Sequence, residues 1–210
     1  MPAFDFAWGY RGTLIYTTDP AYQVFEGGSA YPTTYTNANG LSINAGWTIA
    51  GHLGGNYNRV ATNDPRIVGM AYISPNGSGV VLFQVDLSSG SAPGAGTYTV
   101  DLAVGDPLNP QREDFTLKDN TTLLIDGTNG AAGIDTTGNQ FVDATLATVT
   151  GGAAWAGTTA SKVFASTTVN LNVGPDACGG STGLSHFRLT LQADVTDTPI
   201  TPPTALRLAA

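Results

Sequence analysis

The sequence predicts an all-β protein, an antiparallel jelly-roll β-sandwich of roughly ten or eleven strands. Three observations carry this. Apolar residues alternate with polar ones at a period of two over most of the chain, which is the signature of half-buried strands. Clusters of Gly, Asn and Pro interrupt those runs at short intervals, and no window carries a helical period. Fourteen of the sixteen acids are Asp, with Glu only at positions 26 and 113, a bias that suits turns and strand ends.

Candidate strands begin with TLIYT (13–17) and YQVF (22–25), followed by LSINAGWTI (41–49) and RIVGMAYI (66–73). Residues 79–107 read GVVLFQVDLSSGSAPGAGTYTVDLAVGDP. Val81, Phe83, Val85 and Leu87 share one face, and beyond a Ser/Gly/Ala/Pro loop Tyr98, Val100, Leu102 and Val104 do the same, so the stretch reads as a hairpin. DFTLKD (114–119), TTLLID (121–126) and QFVDATLATV (140–149) continue the series. In KVFASTTVNLNV (162–173), Val163, Ala165, Thr167, Val169, Leu171 and Val173 form one apolar set. In LSHFRLTLQADV (184–195), Phe187, Leu189, Leu191, Ala193 and Val195 form another, leaving His186, Arg188, Thr190 and Gln192 on a polar face.

The sandwich is expected over residues 41–195. Residues 1–40 contain the turn-rich YPTTYTNANG and read as an N-terminal edge hairpin or arm. Residues 196–210 form a Pro-rich C-terminal tail ending in the apolar LRLAA, either a docking arm or a disordered tail.

With 210 residues and 41% hydrophobic content the chain can bury a substantial core, yet only 11% of its residues are charged. Its surface is therefore expected to consist of Thr, Ser, Asn, Gly and backbone amides. A net charge of −8 offers no basic stripe for phosphates and no attraction to anionic lipid, so neither a nucleic-acid nor a membrane partner is expected. The N-terminus lacks the basic start and apolar run of a secretory signal.

The residues available for chemistry are few. Cys178 is alone, in PDACGG, and the two histidines, His52 and His186, accompany no nucleophile motif. Paired carboxylates such as Asp86, Asp101, Asp106, Glu113 and Asp114 could serve glycoside hydrolysis only through a spatial arrangement that spacing does not specify. The segments DNTTLLIDGTNG and DTTGNQFVDAT hold oxygen ligands for calcium but match no EF-hand spacing, and their DG and NG pairs read as turns. No catalytic residue, cofactor or metal site is therefore expected. For glycan or partner contact the candidates are Tyr57, Asn58 and Arg59 in GGNYNRVATNDPR (54–66), and Trp155 in TGGAAWAGTT. The competing reading pairs Arg59 and Arg66 with Asp64 to fix the loop and makes Trp155 a core plug.

Several phrases in order, RGTLIYTTDPAYQVF with AYPTT, then NYNRVATNDPRIVGMAYI, FQVDL, GTYTVDLAVGD, QFVDAT, and FASTTVNLNVG with LSHFRLTL, resemble a family of uncharacterised β-sandwich proteins of tailed phages and environmental viral sequence. The middle and end are similar to malectin and galactose-binding jelly-roll modules. The resemblance spans roughly residues 11–192. It implies a virion structural protein, made in the host cytoplasm, that contacts the major capsid or other virion proteins.

The resulting expectation is a non-enzymatic decoration or cement protein, a homo-oligomer with a trimer at three-fold lattice positions. The alternative is a carbohydrate-binding adhesin that uses the loop aromatics Tyr57 and Trp155, with Tyr72 as a further candidate.

Overall fold

A computed structural model describes residues 3–8, 22–25, 31–36, 40–49, 53–58, 62–67, 69–73, 81–130, 132–174 and 182–193. The chain is an all-β sandwich of antiparallel sheets. Its strands are β1 (Ala3–Trp8), β2 (Tyr22–Phe25), β3 (Thr33–Thr36), β4 (Ser42–Ile49), β5 (Leu53–Asn58), β6 (Gly69–Ile73), β7 (Val81–Asp86), β8 (Gly96–Asp106) and β9 (Gln111–Glu113). They continue with β10 (Phe115–Asp119), β11 (Thr122–Asp126), β12 (Ile134–Thr136), β13 (Gln140–Val142), β14 (Thr148–Thr150), β15 (Ala160–Phe164), β16 (Thr168–Val173) and β17 (Thr182–Leu191). A 3-10 turn, Pro65–Ile67, occupies the start of the expected strand 66–73. Among the described residues no helix is long and apolar enough to cross a membrane.

One sheet has nine strands along the path β14-β13-β8-β17-β1-β2, with β15 also on β8 and the β5–β6 pair attached to β17. The second runs β11-β10-β16-β7-β4-β3, and β9 with β12 makes a small two-stranded sheet. All pairings are antiparallel except β1 with β2. Between the two large sheets lies a continuous core that includes Phe6, Trp8, Trp47, Phe83, Val100, Leu102, Phe115, Leu171, Phe187 and Leu189. Trp8, Trp47 and Phe83 meet at its centre with ring centroids 5.2 to 6.0 Å apart, two of the three contacts edge-to-face.

Three expectations are corrected. First, residues 79–107 do not form a hairpin: β7 pairs with β16 and β4, whereas β8 pairs with β17, β13 and β15 in the opposite sheet. The connecting loop is drawn over β4, where Ser89 Oγ accepts from Asn44 N–H (2.7 Å) and Ser91 N–H donates to the Ser42 carbonyl (2.7 Å). Gly90, at φ 57°, passes so close that a Cβ there would stand 2.5 Å from the Ser42 carbonyl oxygen. The loop is an arch that changes sheets.

Second, the run 162–173 is two strands, β15 in one sheet and β16 in the other. Asp119 breaks it, accepting from Ala165 N–H (2.8 Å), Ser166 N–H (3.1 Å) and the Ser166 hydroxyl. Val163 is consequently 62% exposed while Val169, Leu171 and Val173 are buried. This break, the division of 140–149 into β13 and β14, and the unexpected strands β1, β3, β5, β9 and β12 bring the described strands to seventeen.

Third, β1 is no arm: it pairs with β17 inside the nine-stranded sheet and sends Phe4, Phe6 and Trp8 into the core. β3 pairs with β4, so the described part of residues 31–36 also belongs to the sandwich. β2 pairs with β1 at the edge of the nine-stranded sheet, while TLIYT lies outside the described residues, as do Cys178, His52 and the tail 196–210.

The polar face of β17 is partly covered, with Arg188 and Thr190 left half-buried. A smaller cluster of Ile67, Ala103, Phe141 and Trp155 covers part of the outer surface of the nine-stranded sheet, and His186 beneath this layer is fully buried.

Candidate functional site

The outer layer gathers the buried Asp5, Asp64, Asp101 and His186. Asp5, Arg188 and Asp101 stand opposite one another on adjacent strands β1, β17 and β8. Their side chains share one face because Phe4 and Phe6, Phe187 and Leu189, and Val100 and Leu102 take the other. Arg188 Nε lies 3.3 Å from Asp5 Oδ1. His186, two residues along β17, places Nε2 3.4 Å from Asp5 Oδ1 and Nδ1 3.9 Å from Asp101 Oδ2.

The segment after β5 closes this row. Arg66 grips Asp64 with two bonds, Nε to Oδ1 and Nη2 to Oδ2, each 2.9 Å, and places Nη1 3.7 Å from Asp101 Oδ2. Trp155 completes the cover. Its indole N–H donates to Asp101 Oδ1 (2.8 Å) and its backbone N–H to Asp64 Oδ2 (2.9 Å). Its ring meets Phe141 edge-on with centroids 5.9 Å apart. The small residues flanking Trp155 serve this fit, since a Cβ on Gly157 would collide with the indole. Burial alone would raise the Asp64 carboxyl. The side-chain and backbone hydrogen bonds from Arg66, the Trp155 amide and the Arg66 charge outweigh it and hold the group at about 2.

A second buried acid lies at the junction of β8, β9, β12 and β17. Glu113 is fully buried, its Oε2 accepting from Gly183 N–H (3.1 Å) and its Oε1 3.2 Å from Thr136 Oγ1. Burial pushes this carboxyl up to about 8 against the lowering from those two bonds, and the charge of neighbouring Asp106 raises it further.

The remaining acids mostly organise turns. Asp64, Asp86, Asp106, Asp126 and Asp143 each accept from the backbone N–H two residues on, at 2.8 to 3.1 Å. In three of them a Ser or Thr hydroxyl at that position bonds the same oxygen. The D-x-[ST] spacing of Asp86, Asp126 and Asp143 is the sequence signal for this motif. Among the described residues no group of three or more His, Cys, Asp or Glu is arranged to hold a metal.

Of the four candidate contact residues, Trp155 is buried in the outer layer with its polar edge engaged. Tyr57 and Asn58 lie on β5, which among the described residues is an edge strand paired with β6 alone, and Arg59 lies outside the described residues. Arg66 pairs with Asp64, as the competing reading had it. The network around Asp5, His186 and Asp101 joins residues up to 181 positions apart, so no local motif announces it.

No protein-family model matches the chain, and no curated protein matches it. Among solved structures, the crystal structure of the Bacillus subtilis protein YxiM aligns with 92% of this chain at 14% identity and a TM-score of 0.46. This chain spans 41% of the length of that one.

Proposed function

We propose that this chain is a non-enzymatic structural protein of a tailed-phage particle, a decoration or cement protein that buries its folded exterior against the capsid and neighbouring copies. The observation that carries this reading is the inward commitment of its ionisable groups. Asp5, Asp101 and His186 form a closed ion network with Arg66 and Arg188, while Asp64, Asp86, Asp106, Asp119, Asp126 and Asp143 hold backbone amides of turns and loops. Acids used in this way make a rigid polar-surfaced body whose outer shape is available for contact. Lateral contact has two suitable places: the outer strands β11 and β15 present the exposed side chains of Leu123 and Val163 at the margins of the two sheets.

A second reading, a carbohydrate-binding module, rests on β5, whose edge position puts Tyr57 and Asn58 at the margin of the nine-stranded sheet.

Add-back to particles lacking the chain tests the proposal. Purified protein should restore occupancy, and removal of residues 196–210 should lower it several-fold. Equal failure of both proteins to bind any particle would overturn the structural reading. A glycan-array signal lost in Tyr57→Ala at unchanged melting temperature would favour the second.

A further inference from the structure

We propose that Glu113 is held in the fold as a neutral carboxylic acid and acts as a proton-dependent latch that joins the two-stranded sheet of β9 and β12 to the start of β17. The full burial of its carboxyl between Thr136 of β12 and Gly183 of β17 points to it. The Thr136 hydroxyl has one hydrogen but two acceptors within reach, the Gln111 carbonyl at 3.4 Å and Glu113 Oε1 at 3.2 Å. When Thr136 donates to Gln111, its oxygen can only accept from Glu113, which must then carry the proton on Oε1. The other oxygen, Oε2, accepts from Gly183 N–H as a carbonyl does. In this state both oxygens of the carboxyl are bonded and Glu113 adds no charge to the interior.

Among the described residues no cation compensates it. From β8, Asp106 faces the site with the same sign of charge. On β9 itself Arg112 turns outward to pair with Asp135 of β12 at 2.8 Å, both partners well exposed. Asp114, the next residue, is buried and adds no positive charge. On β17 His186 is engaged with Asp5 and Asp101. β13 contributes no ionisable residue, and β6 only Tyr72. The position of the Glu113 carboxyl at about 8 agrees with this environment. Ionisation would leave a buried carboxylate beside Asp106, and the cheapest escape is to separate β9 and β12 from Gly183 and hydrate the acid. The close approach at Gly183, where a Cβ would stand 2.5 Å from the Gly105 carbonyl oxygen, leaves little room for water while the latch is closed.

The chain suits a direct test, because Glu26 and Glu113 are its only glutamates. Glutamate labelled with carbon-13 at Cδ gives two carboxyl resonances, and E113Q removes and assigns one. The Glu113 resonance of the folded protein should titrate near pH 8. Amide exchange at Gly183, corrected for the intrinsic rate, should lose protection by up to about tenfold per pH unit as pH rises from 4.5 toward that midpoint, and level off above it. In E113Q, whose amide keeps both bonds without a titratable proton, protection should not change with pH. If E113Q does not fold, Glu26→Gln assigns the resonance and the native titration decides. A Glu113 midpoint below pH 5, or native protection unchanged between pH 5 and 8, would overturn the latch.

Discussion

Trp155→Ala separates a ring that binds a ligand from one that closes the fold. The side chain is 9% exposed, packs edge-on against Phe141 and donates its indole N–H to Asp101. Truncating a buried Trp costs about 3–5 kcal/mol. The Asp101 carboxylate, itself mostly buried, then loses a donor, which adds roughly 1–3 kcal/mol. The sum, about 4–8 kcal/mol, is comparable to the whole stability of an ordinary domain. Trp155→Phe keeps most of the ring contact and loses the N–H, so its cost should be near 1.5–3 kcal/mol. Urea denaturation followed by circular dichroism measures both, and the order Ala above Phe above native is the expected result. If Trp155→Ala unfolds within about 0.5 kcal/mol of native, an effect typical of an open surface position, the outer layer does not close over Asp101 as described.

Asp119→Ala strips the amides of Ala165 and Ser166 of their acceptor where β15 becomes β16, and should cost about 2–4 kcal/mol in the same assay. Leu189→Asp places an unpaired charge in the central core and should yield no soluble folded protein on expression. The pH profile has two limbs of opposite sign. Asp64 sits below its ordinary value in the folded state, so its contribution is complete above about pH 4 and is lost as pH falls toward 2; Asp64→Asn should flatten that acid limb. Glu113 sits above its ordinary value, so its contribution is complete below pH 4.5 and is lost as pH rises to about 8. That loss should run at up to about 1.4 kcal/mol per pH unit. Thermal melts from pH 2 to 9 should therefore show E113Q with the flatter alkaline limb.

Much of the sandwich is legible in alternation alone. Val81, Phe83 and Val85, Tyr98, Val100 and Leu102, and Phe187 and Leu189 all lie in the core on the faces their spacing assigns. Alternation gives no pairing, however, and a strand that changes sheets has the same period as one that does not. Hence β7 and β8 read as a hairpin, and Val163 reads as a companion of Val169. The polar commitments that decide both cases, Ser89 to Asn44 and Asp119 to Ser166, act between residues 45 and 47 positions apart. The spacing of Phe4, Phe6 and Trp8 does signal β1, but the turn formers that follow dominate the composition of the first forty residues.

The outer layer was hidden for a different reason. Asp5, Asp101, His186 and Arg188 alternate with apolar residues as a solvated face would, and only tertiary pairing reveals that Trp155 and Ile67 cover part of that surface. Trp155 in a Gly/Ala-rich loop is equally consistent with a ligand platform and a plug until its partners are known. The five Asp residues that cap their own turns were readable in kind, because a short carboxylate reaches the amide two residues on and a Glu does not.

Quantitative mass spectrometry of purified, salt-washed particles tests the structural role most directly. The chain should be present in a fixed whole-number ratio to the major capsid protein. Its absence from washed particles, with the folded protein recovered free in the lysate, would contradict the account.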